Sequence, residues 1–178
     1  MRPWSLTLLL SLGLACQRGD AVARGDSQSP ATPRRGDTTA RADSQFGDVQ
    51  RRGAAVMGVD QSTSKHVFED LPDGGRIVLE RDDAADTAAI RTIRAHMREI
   101  ETAFRQGNFA QPGLVHAQEV PGTDVMTARR GFIAYVEADR PRGAELRILT
   151  SDTAAIAAVH RFLAFQRMDH RAAGHESH

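Results

Sequence analysis

The stretch HVFEDLPDGGRIVLERDDAADTAAIRTIRAHMREIETAFRQG, residues 66–107, decides the fold. Two strand-like runs, 66–71 and 76–81, flank Pro72-Asp73-Gly74-Gly75, a turn signal that folds them into a hairpin. Ile77 and Leu79 alternate onto one face of the second run. Asp86 then offers a side-chain oxygen to cap a helix running to about Gln106, with Gly107 as its stop. At roughly 100° per residue, Ile90, Ile93, Met97, Ile100 and Phe104 fall within about 80° of one another, an apolar stripe that must be covered. Arg91, Arg94, Arg98 and Arg105 cluster on the other side, as a solvated face does. The unit is ββα.

The unit returns downstream. Residues 131–138 and 145–150 read as strands around Arg140-Pro141-Arg142-Gly143, and Asp152 caps a helix to about His170. Asp86-Thr87-Ala88-Ala89-Ile90 reappears as Asp152-Thr153-Ala154-Ala155-Ile156, 66 residues on; Val56-Met57 reappears as Val125-Met126 and Gly74 as Gly143, both 69 residues on. A lone hairpin is marginal in water and needs further strands or a covering helix. Two ββα units joined edge to edge supply both, so the expected fold is α+β: an antiparallel sheet with two helices on one face. Its opposite face is left for solvent or a partner. Residues 54–59 read as one further short strand.

Outward from this core, the N-terminus carries a different signal. Arg2 precedes a hydrophobic run, 6–15, that ends at Cys16, the only cysteine of the chain. About ten apolar residues are too few to span a bilayer, which takes roughly twenty. A charged head, a short apolar run and a small residue before the cut describe an export signal. Gly13-Leu14-Ala15-Cys16 resembles a bacterial lipoprotein cleavage site, although Gly13 and Leu14 reverse the preferred order. The expectation is a signal peptide, 1–15, whose removal leaves Cys16 to be lipidated. That would place the protein in the bacterial envelope, on the periplasmic side of a membrane. The resemblance to lipoproteins implies the outer membrane, because Gln17 and not Asp follows the cysteine. The alternative is ordinary secretion with an incidental cysteine.

Residues 17–52 are mostly Gly, Ser, Thr, Pro, Arg, Asp and Ala, too few large apolar groups to offset the entropy of ordering. With Cys16 they read as a disordered tether of roughly 30–36 Å r.m.s. reach. Its three Arg-Gly-Asp triplets, at 18–20, 24–26 and 35–37, are what such a composition produces without an adhesion role. One domain follows, 53–171, and then a flexible tail, 172–178.

Composition excludes several chemistries. With no cysteine beyond Cys16, the domain forms no disulfide, thiolate zinc site or C-x-x-C centre. The net charge is zero, with 23 charges of each sign, which argues against a nucleic-acid surface. No G-x-S-x-G, Walker A or dinucleotide fingerprint occurs, and no serine sits in an orienting context. Glu69, Asp70, Glu119 and Asp124 lie in or beside loops, where carboxylates are usually solvated.

What remains is seven histidines and five methionines. Imidazole is the commonest metal ligand and a thioether favours copper(I). His66, His116, Met126, His160 and His170 are the candidate ligands of a transition metal, copper or else zinc. None of their spacings is a tight ligand motif, so each of the four histidines is also read as a boundary residue satisfied by hydrogen bonds. His96, one turn from Glu99, is a weaker cue, and His175 and His178 belong to the tail.

Val56-Met57-Gly58, His66, Ile93-Arg94-Ala95-His96, His116, Pro121-Gly122, Met126, Val159-His160-Arg161-Phe162-Leu163, Phe165-Gln166 and His170 together resemble an uncharacterised group of small exported bacterial proteins. The resemblance covers nearly the whole domain. That group often has two adjacent histidines where this chain has Lys65-His66. Some members carry the label aspartate carbamoyltransferase. This chain lacks that enzyme's Ser-Thr-Arg-Thr phosphate loop, and the resemblance implies no catalytic residue. The leading expectation is an envelope-tethered ligand-binding domain, with copper as the specific ligand. The alternative is a non-catalytic module that docks an envelope protein through the sheet face or through Arg91, Arg94 and Arg98.

Overall fold

A computed structural model describes residues 35–174. Cys16, the 1–15 segment, the first two Arg-Gly-Asp triplets, His175 and His178 lie outside them. Strands β1 (Ser64–Leu71) and β2 (Gly74–Arg81) form the first hairpin, β3 (Ala134–Arg140) and β4 (Gly143–Leu149) the second. The sheet order is β1-β2-β4-β3, antiparallel throughout. Helix α2 (Thr87–Arg105) follows the first hairpin and α5 (Thr153–His170) the second. Asp86 accepts from the Ala89 amide at 3.1 Å and Asp152 from the Ala155 amide at 2.9 Å, so both helices begin on the expected caps. The fold is the α+β arrangement of two ββα units.

The register makes the internal repeat explicit. Ile77 pairs with Leu146, its own counterpart 69 positions on, and Gly74 and Gly143 occupy equivalent ends of the two central strands. Both glycines are required by close approach. A Cβ on Gly74 would lie 2.1 Å from the Ile148 carbonyl oxygen, and one on Gly143 would lie 1.9 Å from that of Leu79. The helices are exchanged between units: α2 packs chiefly on β4 and β3, and α5 on β1 and β2. Ile77, Leu79, Leu146 and Ile148 meet Ile93, Met97, Val159 and Leu163 in one core. The outer face is crossed by ion pairs instead, with Arg76 on Glu69, and Arg140 on Glu80 (3.2 Å) and Glu145 (2.8 Å).

Three expectations need correction. The tether does not extend to residue 52, and 54–59 is not a strand, because helix α1 occupies Arg35–Met57. Val49, Gly53 and Met57 recur every four residues and are buried, with Phe46 and Gln50 partly covered on the same stripe. Arg52 Nε donates to the Val115 carbonyl at 2.6 Å, and Arg171 pairs with Asp43 and lies over the Phe46 ring. The third Arg-Gly-Asp triplet is thus the first turn of a helix.

Second, the surroundings of Glu119 and Asp124, read as loop, hold two short helices, α3 (Ala110–His116) and α4 (Thr123–Ala128), and Asp124 lies in the first turn of α4. Pro112 sits in the first turn of α3, where a missing amide is harmless. Third, the domain does not end at 171, because Ala173 bridges to Val67 and accepts from the Phe68 amide, covering part of the β1 edge.

The repeat is also longer than ββα. Met57 at the end of α1 and Met126 in α4 are equivalent and both buried. The 3-10 turns Gln61–Thr63 and Arg130–Phe132 are likewise 69 positions apart.

Candidate functional site

A cavity of about 90 Å³ lies at one end of the core, with α1 and α3 above it and β1, α2 and α5 as its walls. Four histidines line it: His66 on β1, His96 on α2, His116 on α3 and His170 on α5. Each arrives there by ordinary periodicity. His66 shares its strand face with Phe68, and His96 stands at the border of the α2 stripe, beside Met97. His170 ends α5 one turn after Gln166, before Arg171 stops the helix in the left-handed conformation.

The rings form a connected group. His66 and His170 stack at 5.4 Å between centroids and 9° between planes, with Phe68 stacked beside both. His116 meets His170 edge-on at 5.0 Å. Burial removes water from the charged forms, so His66 is pushed down to about 4 and His170 to about 3. The neighbouring rings add repulsion, His96 on His66, and His66 with His116 on His170. His96 is lowered as well, mainly by burial and against the opposing pull of Glu99. At neutral pH these three imidazoles are uncharged.

His116 differs. Its Nδ1 contacts the Asp169 carboxylate and its Nε2 faces Gln166 Oε1 at 3.0 Å, so both ring nitrogens are engaged. It is a fixed wall of the cavity, not an open ligand. Other groups around the cavity lack partners. Gln61 Oε1, Gln111 Oε1 and His170 Nδ1 are buried with no hydrogen-bond partner. Gln61 lies close against α1 because position 53 is glycine, where a Cβ would stand 1.6 Å from the Gln61 amide nitrogen.

Of the five candidate metal ligands, the structure brings together His66, His116 and His170. His160 lies elsewhere, with Nε2 donating to the carbonyls of Leu71 and Gly74, both at 3.0 Å, and so fastens α5 to the β1–β2 turn. Met126 is fully buried in the hydrophobic core. Among the described residues, no group of three His, Cys, Asp or Glu is placed to hold a metal ion. The arginine stripe is also largely occupied. Arg94 donates to the Gly143 and Arg140 carbonyls and Arg98 pairs with Asp139 at 2.7 Å, both bracing the β3–β4 turn. Arg91 is exposed. Of the four carboxylates expected to be solvated, Asp70 lies in β1 and is buried in an ion pair with Arg167 at 2.8 Å.

His96, Gln61 and Gln111 were not in the predicted set, and the repeat is the signal that could have found His96. In the second unit His66 corresponds to Tyr135 and His96 to Phe162; in the first, His170 corresponds to Phe104. Phe104 meets Tyr135 at 5.8 Å, as His170 meets His66. Phe104 and Phe162 line the cavity too, so the imidazoles and their aromatic counterparts meet around the same space. No protein-family model, curated protein or solved structure matches the chain.

Proposed function

We propose that this chain is an exported protein, held at the envelope membrane by a lipid on Cys16, whose α+β domain binds a small ligand in the cavity beneath α1. The observation that carries the binding site is the cavity lining: three uncharged imidazoles and three buried polar atoms without partners, Gln61 Oε1, Gln111 Oε1 and His170 Nδ1, stand around an otherwise apolar space. An apolar pocket with a few convergent polar groups of perturbed pKa is the arrangement expected of a ligand site. The sequence carries no recognised catalytic motif, and its serines sit in no orienting context. Among the described residues no helix is long and apolar enough to cross a membrane.

The test is thermal unfolding of the full chain against small uncharged aromatics, copper(I) and zinc. A ligand that binds only the native state raises Tm with concentration. The rise should vanish in His66→Phe/His170→Phe, which crowds the cavity with phenyl rings and removes the His170 Nδ1 atom. Flat unfolding curves with every probe would sink the reading. For the anchor, Cys16→Ser should release the protein from the membrane fraction. A second reading, copper(I), is favoured by the Met57 and Met97 thioethers, which line the same cavity as His66 and His96.

A further inference from the structure

We infer that the ligand of this cavity is a single uncharged aromatic ring bearing a hydroxyl group, a molecule of the phenol class; the inference rests on the cavity being the binding site. The lining contains no Asp, Glu, Lys or Arg, so an ion would enter without a counter-charge, at a desolvation cost nothing there offsets. The ligand is therefore neutral. Gln61 is 5% exposed and its Oε1 has no partner, nor has Gln111 Oε1. Both are acceptors, so the ligand must bring a donor. His170 Nδ1, also unpaired, accepts or donates according to its tautomer. A hydroxyl group serves one of the two oxygens with its single O–H and accepts from His170 Nδ1 when that nitrogen carries the proton.

The rest of the cavity calls for a ring. Its surface is mainly apolar, with the thioethers of Met57 and Met97 and the phenyl of Phe68 among its walls. Sulfur and aromatic groups make favourable contacts with a ring face or edge. A volume of about 90 Å³ is smaller than the dry cavity of roughly 150 Å³ that takes benzene, so it admits no more than one small ring. A fused or charged ring system has no place in it.

The experiment titrates phenol, toluene, benzoate and copper(I) into the full chain, reading affinity by calorimetry and the histidine ring nitrogens by long-range 1H–15N spectra. Phenol should bind at least tenfold more tightly than toluene and move the His170 nitrogens, while benzoate should not bind. Gln61→Leu should bring phenol down to the toluene level without disturbing the sheet resonances. Gln111→Leu serves the same purpose if the first variant does not fold. Equal binding of phenol and toluene overturns the hydroxyl inference and leaves the pocket standing. Binding of copper(I) alone overturns it in favour of the thioether and imidazole reading. No binding by any of the four overturns both the inference and the proposed site.

Discussion

His116 is a buried ring with both nitrogens occupied, and such a group is expensive to strand. Removing the Asp169 carboxylate leaves the Nδ1 side without its partner in a place water reaches poorly. Asp169→Ala should therefore cost about 1–3 kcal/mol, read as a shift in the urea midpoint. Asp169→Asn retains an oxygen acceptor and should recover most of that loss. A change no larger than about 0.5 kcal/mol, the range of ordinary surface substitutions, would show that Asp169 does not hold the ring. His66 and His170 make a second residue-scale prediction. Their folded rings take protons only near 4 and 3, whereas unfolded histidine takes one near pH 6.5. Between those values the unfolded chain binds more protons, so stability rises with pH. It is complete above about pH 6.5 and is lost progressively as the pH falls toward 4 and 3. The urea midpoint should drop from pH 7 to pH 5, and the drop should be clearly smaller in His66→Gln/His170→Gln. Equal drops in both proteins would refute the neutral pair. His96, lowered in the same direction, supplies the slope that remains.

At the scale of elements, the capped helices and the hairpins were legible because short-range chemistry determines them. Asp86 and Asp152 do what the sequence pattern implies, and each also meets an arginine, Arg81 at 3.0 Å and Arg129 at 3.1 Å. Asp86→Ala and Asp152→Ala should each lower stability by about 0.5–2 kcal/mol, as loss of an N-cap does, measured by urea unfolding. Pairing each with Asn instead should preserve the cap. Identical losses for Ala and Asn at both positions would mean the ion pairs and not the caps are responsible. Helix α1 was not legible in the same way. Its sequence is polar on average, and only the spacing of Phe46, Val49, Gly53 and Met57 across the supposed boundary at residue 52 reveals a stripe. The short helices α3 and α4 carry too few residues for any period to be counted. The candidate site was half legible for a related reason. Residue type pointed to histidine, but only three-dimensional pairing separates His160, which fastens a turn, from His170, which has an unpaired nitrogen. The glutamines were invisible because an amide signals nothing until burial leaves it alone.

At the scale of the molecule, the exchange of helices determines how the protein folds. The apolar face of α2 rests mainly on the second hairpin and that of α5 on the first, so each ββα unit leaves most of its strands to the other unit's helix. The central pair, Ile77 against Leu146, joins the two units on the axis of the repeat, and the core formed around it is shared. An isolated hairpin with one misplaced helix leaves most of its inner face in water and falls short of the three strands or covering helix that independent stability needs. The segments 59–107 and 119–174, made separately, should therefore show no cooperative urea transition by circular dichroism. Mixed together, they should regain sheet signal and unfold cooperatively, because each brings the helix the other lacks. The cavity belongs to this same arrangement: His66 and His96 come with the first segment, His170 with the second. The His66–His170 stack should accordingly appear only in the mixture, as a nuclear Overhauser contact between ring protons. A cooperative transition in segment 59–107 alone would show that the first unit is self-sufficient and that the exchanged packing is not what holds the sheet together.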